Sequence, residues 1–197
     1  MKFVYLYIFV FFSSCKSNES SENLSISKYE VSEYEIYEVI NFVLKEMRVT
    51  DSLEGNQFKY LVNKPLKPSC ITNIPNQNKI INRYFSISDL IFINKQLNIR
   101  ENFRIEQNKI VEKTIISKDT LETLVDNYSQ NRSDDYLHNY NSRFEKNYYY
   151  EFSLPVFSKN KKIVLLEISS LFGGGYSMIL TKKNNTWKSK IINIWSN

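Results

Sequence analysis

The sequence predicts an α+β domain, with a C-terminal antiparallel β-meander of about four strands packed against N-terminal and middle helices. Three observations lead there. Apolar runs between Tyr148 and Trp195 are separated by turn residues, which is the pattern of an antiparallel meander. The segment from Val31 to Met47 carries apolar residues at helical spacing. A composition of 42% hydrophobic and 15% aromatic residues suffices for a packed core. With 197 residues, less a leader, one domain is expected. Its parts are a leader at residues 1–14, a tether at 15–28 and a globular domain at 29–197.

Met1 to Ser14 reads MKFVYLYIFVFFSS. Lys2 precedes an apolar run from Phe3 to Phe12. The run is well short of the ~20 residues a spanning helix needs. A basic start, a short apolar stretch and small residues before a cut define a secretory signal. Lys16 to Ser27, KSNESSENLSIS, is polar and lacks apolar periodicity, as a tether should.

In the first helix, Tyr34, Tyr37, Ile40, Val43, Leu44 and Met47 are expected to share the buried stripe. Glu33, Glu35 and Glu38 load the N-terminal half, where the helix dipole favours negative charge. Gln57 to Val62 reads as a short strand, and Lys64-Pro65-Leu66-Lys67-Pro68 stops regular structure. Ile80 to Phe85 reads as a strand. Ser88 and Asp89 then cap a short helix carrying Leu90, Ile91, Ile93 and Leu97. Phe103 to Ile105 and Ile110 to Ile116 look extended. Asp119-Thr120-Leu121-Glu122 has capping-box spacing for a helix from Thr120 to Val125. A further helix is expected over Ser133 to Lys146, with Tyr136, Leu137, Tyr140 and Phe144 on one side.

In the meander, Tyr148 to Leu154 is ended by Pro155, which cannot donate to a ladder. Ile163 to Ile168 is almost continuously apolar, so both its faces should be covered. Gly173-Gly174-Gly175 marks a bend, Tyr176 to Thr181 a third strand, and Lys182-Lys183-Asn184-Asn185 a turn. In the last strand, alternation places Trp187, Ser189, Ile191, Asn193 and Trp195 on one face.

Several residues invite a functional reading beside a structural one. The glycines suit an anion nest, but a phosphate loop would lead into a helix and this one leads into a strand. Glu167 is a carboxylate in an apolar strand: either a perturbed acid or, as preferred, an outward-facing residue at the strand's end. Asp134 and Asp135 fit a helix start better than a calcium loop. His138 lies one turn from Asp134, with no nucleophile elbow in the sequence. Cys70 is read as an inert thiol, and two cysteines with one histidine cannot build a usual zinc site. Tyr148-Tyr149-Tyr150 with Trp187 and Trp195 form either a stacking platform or a sheet core, and three tyrosines in a row should expose at least one ring. The candidate ligand contacts are therefore Tyr149, Gly174 and Trp187. No catalytic residue, metal or cofactor is assigned. The net charge of +5 is spread along the chain rather than gathered in a stripe, which argues against a nucleic-acid partner.

Two resemblances add to this. Phe12-Ser13-Ser14-Cys15 resembles a bacterial lipobox. It implies that Cys15 becomes the lipid-modified first residue and the protein's contact with the membrane; several acyl chains on one residue hold firmly. Lys16 at the next position implies the outer membrane, on either its periplasmic or its surface face. The segment Phe152-Ser153-Leu154-Pro155-Val156-Phe157-Ser158, the glycine cluster and Asn185-Thr186-Trp187-Lys188 resemble a group of small, uncharacterised bacterial lipoproteins. Ser88-Asp89-Leu90 and Lys95-Gln96 look similar too. Relatives often carry cysteines around the glycine cluster. Here Leu171 and Phe172 stand there, so no disulfide or metal role carries over.

The function expected is a lipid-anchored envelope protein with a non-catalytic domain that binds a partner protein or small ligand. The alternatives are a small envelope hydrolase using Glu167, His138 or Asp134, and a structural or assembly lipoprotein. The last would show a large exposed apolar patch.

Overall fold

The computed structural model of the protein describes residues 30–54, 58–72, 78–126, 140–144, 147–170 and 174–195. Val31–Asn197 is one compact unit. The leader, the tether, Cys15, Asp134, Asp135 and His138 lie outside the described residues, as does the side chain of Cys70.

The α+β class holds, and the sheet is larger than the meander. Seven strands run in the order β2-β1-β3-β5-β6-β7, with β4 paired beside β3 on β5. They are β1 (Phe58–Val62), β2 (Thr114–Ile116), β3 (Tyr148–Phe152), β4 (Val156–Phe157), β5 (Ile163–Ser170), β6 (Gly175–Lys183) and β7 (Thr186–Trp195). β1 pairs in parallel with β2 and with β3; the rest is antiparallel. The meander is thus the antiparallel half of a mixed sheet.

Helix α1 (Glu33–Glu54) begins where Ser32 caps it. The Glu35 carboxylate accepts from the Ser32 N–H at 2.7 Å while the Ser32 hydroxyl accepts from the Glu35 N–H at 3.2 Å, a closed capping box. Val31 and Ile36 occupy the staple positions on either side of that cap, and both are buried. Val39, Ile40, Val43, Leu44 and Met47 continue the buried stripe. Tyr34, expected in it, is 78% exposed. The three- and four-residue steps from Ile36 leave Tyr34 on the flank.

Two short helices follow, α2 (Ser69–Thr72) and α3 (Asn78–Tyr84). The second corrects the strand expected at Ile80 to Phe85. Ile81 and Phe85 are buried while Arg83 is exposed. A strand would place all three on one face; one helical turn separates them. Helix α4 (Ile87–Ile99) is capped by Ser86, with Asp89 closing the box. The cap lies two residues earlier than expected, because the Ser-x-x-Asp spacing starts at Ser86. Of the two segments expected as strands or extended chain, Phe103 to Ile105 joins no sheet and Ile110 to Ile116 supplies β2 at its end, after a 3₁₀ turn at Gln107–Lys109. Helix α5 (Lys118–Asp126) follows directly.

The core joins α1, α3 and α4 to β1 and β3–β7. A second cluster gathers Val62, Ile116, Leu121, Tyr140 and Phe144, with Tyr60 and Tyr149 against it. Tyr140 and Phe144 lie in the helical residues 140–144, as the expected helix there would have them.

β6 and β7 are joined by Asn184-Asn185, both at positive φ (49° and 58°). That is the left-handed pair a two-residue hairpin needs. A bulge then corrects the expected alternation of β7. Ser177 faces Asn193, yet Met178 faces Ile191, leaving Ile192 as the extra residue. Directly opposed residues share a face, so Trp187, Ser189 and Ile191 face one way and Asn193 and Trp195 the other. The Trp195 ring lies over Gly175. A Cβ there would come within 2.6 Å of the ring and 2.3 Å of the Ile168 carbonyl oxygen. The glycine is required by that close approach.

Candidate ligand-binding cleft

Glu167 does not face outward. It is 7% exposed, and its carboxylate accepts from the Ser69 N–H at 2.6 Å, the Ser69 hydroxyl at 3.1 Å and the Ser177 hydroxyl at 3.4 Å. One strand over, Ser153 completes the junction. Its N–H donates to the Glu167 carbonyl (2.8 Å), and its hydroxyl accepts from the Glu167 N–H (2.9 Å). Leu66 bridges the other side of Ser153. The carboxylate therefore pins the start of α2 to the sheet, and these hydrogen bonds are what let it stay buried.

Gln96 does similar work at β4. Its side-chain amide donates to the Phe157 carbonyl (2.7 Å) and accepts from the Phe157 N–H (3.0 Å), closing the strand's open edge as a neighbouring strand would. Nearby, Asp89 accepts from the Lys159 N–H at 2.8 Å. Burial alone would raise the Asp89 pKa, but the Ser86 hydroxyl and the two backbone N–H groups hold it below the ordinary value.

The opposite face of β6 and β7 carries α1. Lys182 and Trp187 are opposed across the ladder, and both reach Glu38. The Lys182 ammonium is 2.7 Å and 3.0 Å from its two oxygens, and the Trp187 indole N–H donates at 2.9 Å. Lys182 also sits over the Trp187 ring, 5.0 Å from its centroid. Two turns on, Ser189 donates to Glu46, so α1 follows the strand.

Beside this junction lies a cleft of about 450 Å³, lined by Glu33, Tyr34, Tyr37, Glu38, Asn41 and Lys109. Its floor is held in place. The Tyr37 hydroxyl accepts from the Glu106 N–H (3.0 Å) and donates to the Arg104 carbonyl (3.3 Å); burial raises its pKa. The Asn41 amide donates to the Lys109 carbonyl (2.9 Å) and accepts from the Val111 N–H (3.2 Å). Lys109 pairs with Glu33 (2.7 Å) and Glu106 (3.0 Å). These contacts hold the Glu33 pKa below, and that of Lys109 above, the ordinary value. The cleft thus offers two carboxyl groups, a lysine and one exposed aromatic ring.

The sequence candidates are not brought together. Tyr149 packs edge-on to Tyr140 in the second cluster, with ring centroids 5.6 Å apart. Trp187 is buried in the main core. The Gly174 carbonyl accepts from the Ser170 N–H at 2.9 Å at the sheet's end. Nor is any ring of the tyrosine run fully exposed: Tyr148 and Tyr149 are half-buried, and Tyr150 is buried and stacked on Phe58. Trp187 still bears on the cleft, because it positions Glu38 from behind.

Sequence reading missed Glu38, Lys182 and Lys109 as a group. The available signal was that Glu33, Tyr34, Tyr37, Glu38 and Asn41 fall on one side of a helix, next to its apolar stripe. Among the described residues no cluster of metal-binding side chains is found, and no helix is long and apolar enough to cross a membrane. No protein family matches the chain, and neither the characterised proteins nor the solved structures give a match.

Proposed function

We propose that the protein is a bacterial envelope lipoprotein, held at the outer membrane by lipid on Cys15, with a non-catalytic binding domain. Its anchor is read from Phe12-Ser13-Ser14-Cys15 and the polar stretch after it. The observation that carries the binding role is the cleft on α1, where fixed charges of both signs flank the exposed Tyr34 ring. The hydrolase alternative loses its buried acid, because the Glu167 carboxylate is taken up by Ser69 and Ser177. An assembly role has one observation behind it: Ile87, Ile91 and Ile99 lie exposed on α4.

Cell fractionation tests the anchor. Wild-type protein is expected in the outer-membrane fraction and Cys15→Ala in the soluble one. If the two fractionate alike, the lipoprotein reading is wrong. Protease treatment of intact cells then reports which side of the membrane the domain faces.

A further inference from the structure

We infer that the α1 cleft takes a neutral sugar, with one pyranose ring seated on Tyr34. This rests on the binding-domain reading above and names its ligand. Tyr34 is the one strongly exposed aromatic in the cleft wall, at 78%. A bare ring offers an apolar face with a polar rim, matching the C–H face of a pyranose.

Each carboxylate of the cleft wall already holds a lysine, Lys109 being shared with Glu106 and Lys182 reaching Glu38 from behind the wall. Glu33 is beside Lys109 at 2.7 Å, and Glu38 is beside Lys182 at 2.7 Å. A hydroxyl donates one hydrogen bond and accepts others, so it fits a carboxylate and an ammonium at once, each bond charge-assisted. A cationic ligand would have to displace the two lysines from their carboxylates. An anionic ligand would meet Glu33 and Glu38 directly. A neutral polyol needs neither displacement.

The floor is already organised. Tyr37 and Asn41 have their polar atoms bonded to the backbone at 104, 106, 109 and 111. Little ordering therefore remains to be done on binding. At about 450 Å³ the cleft holds one or two sugar rings rather than a long chain.

Saturation-transfer NMR on the detergent-solubilised full chain tests this, with maltose, lactose, N,N′-diacetylchitobiose and agmatine as probes. At least one saccharide is expected to receive transfer, concentrated on its ring C–H protons. Tyr34→Ala should weaken that binding about tenfold, while Tyr34→Phe keeps it. Both substitutions sit on the surface and should leave the melting temperature unchanged. Saccharide binding that ignores Tyr34→Ala would overturn the site. Transfer to agmatine alone would overturn the sugar and leave a binding domain with a cationic ligand. No transfer to any probe would remove both the sugar and the cleft's binding role, leaving the membrane anchor to its own experiment.

Discussion

Two glutamates tie the sheet to the rest of the molecule, one on each face, and they do so differently. Glu167 is inside, its carboxylate accepting from a backbone N–H and hydroxyls at Ser69 and Ser177. Glu38 is about a quarter exposed and pairs with the Lys182 ammonium and the Trp187 indole. The inner carboxylate is enclosed by its own chain and serves as a staple. The outer one keeps a side open to solvent, so it serves as a staple and as a wall of the cleft. The same residue type is enclosed or left facing a cleft according to what covers it.

The comparison can be broken first at Glu167. Glu167→Ala leaves the buried Ser177 hydroxyl without its acceptor and frees the exposed Ser69 from the sheet, and the expected loss is about 2–3 kcal/mol. Urea unfolding would show it; an unchanged midpoint would sink the staple account. Gln96→Ala strips the edge of β4 of both its partners, for about 2 kcal/mol by the same measurement. If Gln96→Ala proves harmless, water is replacing the amide and the β4 edge is more open than its burial implies.

At the outer glutamate the effect should be smaller. Glu38→Gln keeps the shape and removes the charge, so about 0.5–1 kcal/mol is expected. The difference from wild type should shrink in 1 M salt, where charges at this exposure are screened. A salt-independent loss would mean that the Trp187 hydrogen bond, not the ion pair, holds α1 in place.

The smallest effect belongs to pH. Three carboxylates lie below their ordinary values. At Glu33 the cause is Lys109. At Glu35, burial works the other way and is outweighed by Ser32 and Lys161. Asp89 is likewise raised by burial and lowered further by Ser86 and Lys159. A depressed folded-state pKa means that the unfolded chain binds protons more readily. The stabilisation is therefore complete above the unfolded values of 4.5 for Glu and 3.8 for Asp, and fades as the pH falls below them. A melting temperature that stays flat from pH 7 to about 5 and then declines is the expected curve. Lys161→Met should flatten the part due to Glu35.

The C-terminal strands were legible in the sequence because their signals are local: Pro155, the glycine cluster and the Asn184-Asn185 pair each act within a few residues. β1 was legible as a strand and β2 as part of an extended segment, but their place in the sheet was not. They are short, and parallel pairing joins residues far apart in the chain, such as Tyr60 with Thr114. The bulge at Ile192 was hidden too, since alternation through β7 looks unbroken until its partner is known. The cleft was half visible. Of its α1 side chains all but Asn41 were noted, but as a dipole effect and a core stripe. The lysines that complete it come from elsewhere in the chain.

The place of β1 bears on the order in which this chain can fold. Synthesis from the N-terminus produces Phe58–Val62 long before either of its partners, Thr114–Ile116 and Tyr148–Phe152, exists. Closing such long loops costs entropy that rises slowly with length, and folds rich in distant pairings form slowly. The β6–β7 hairpin closes across two residues and needs nothing from upstream. Its formation should lead, and insertion of β1 between β2 and β3 should complete the sheet. Until then β1 is an unpaired strand that another chain can capture. A chain cut short before Tyr148 could pair β1 with β2 alone and would keep its other edge open.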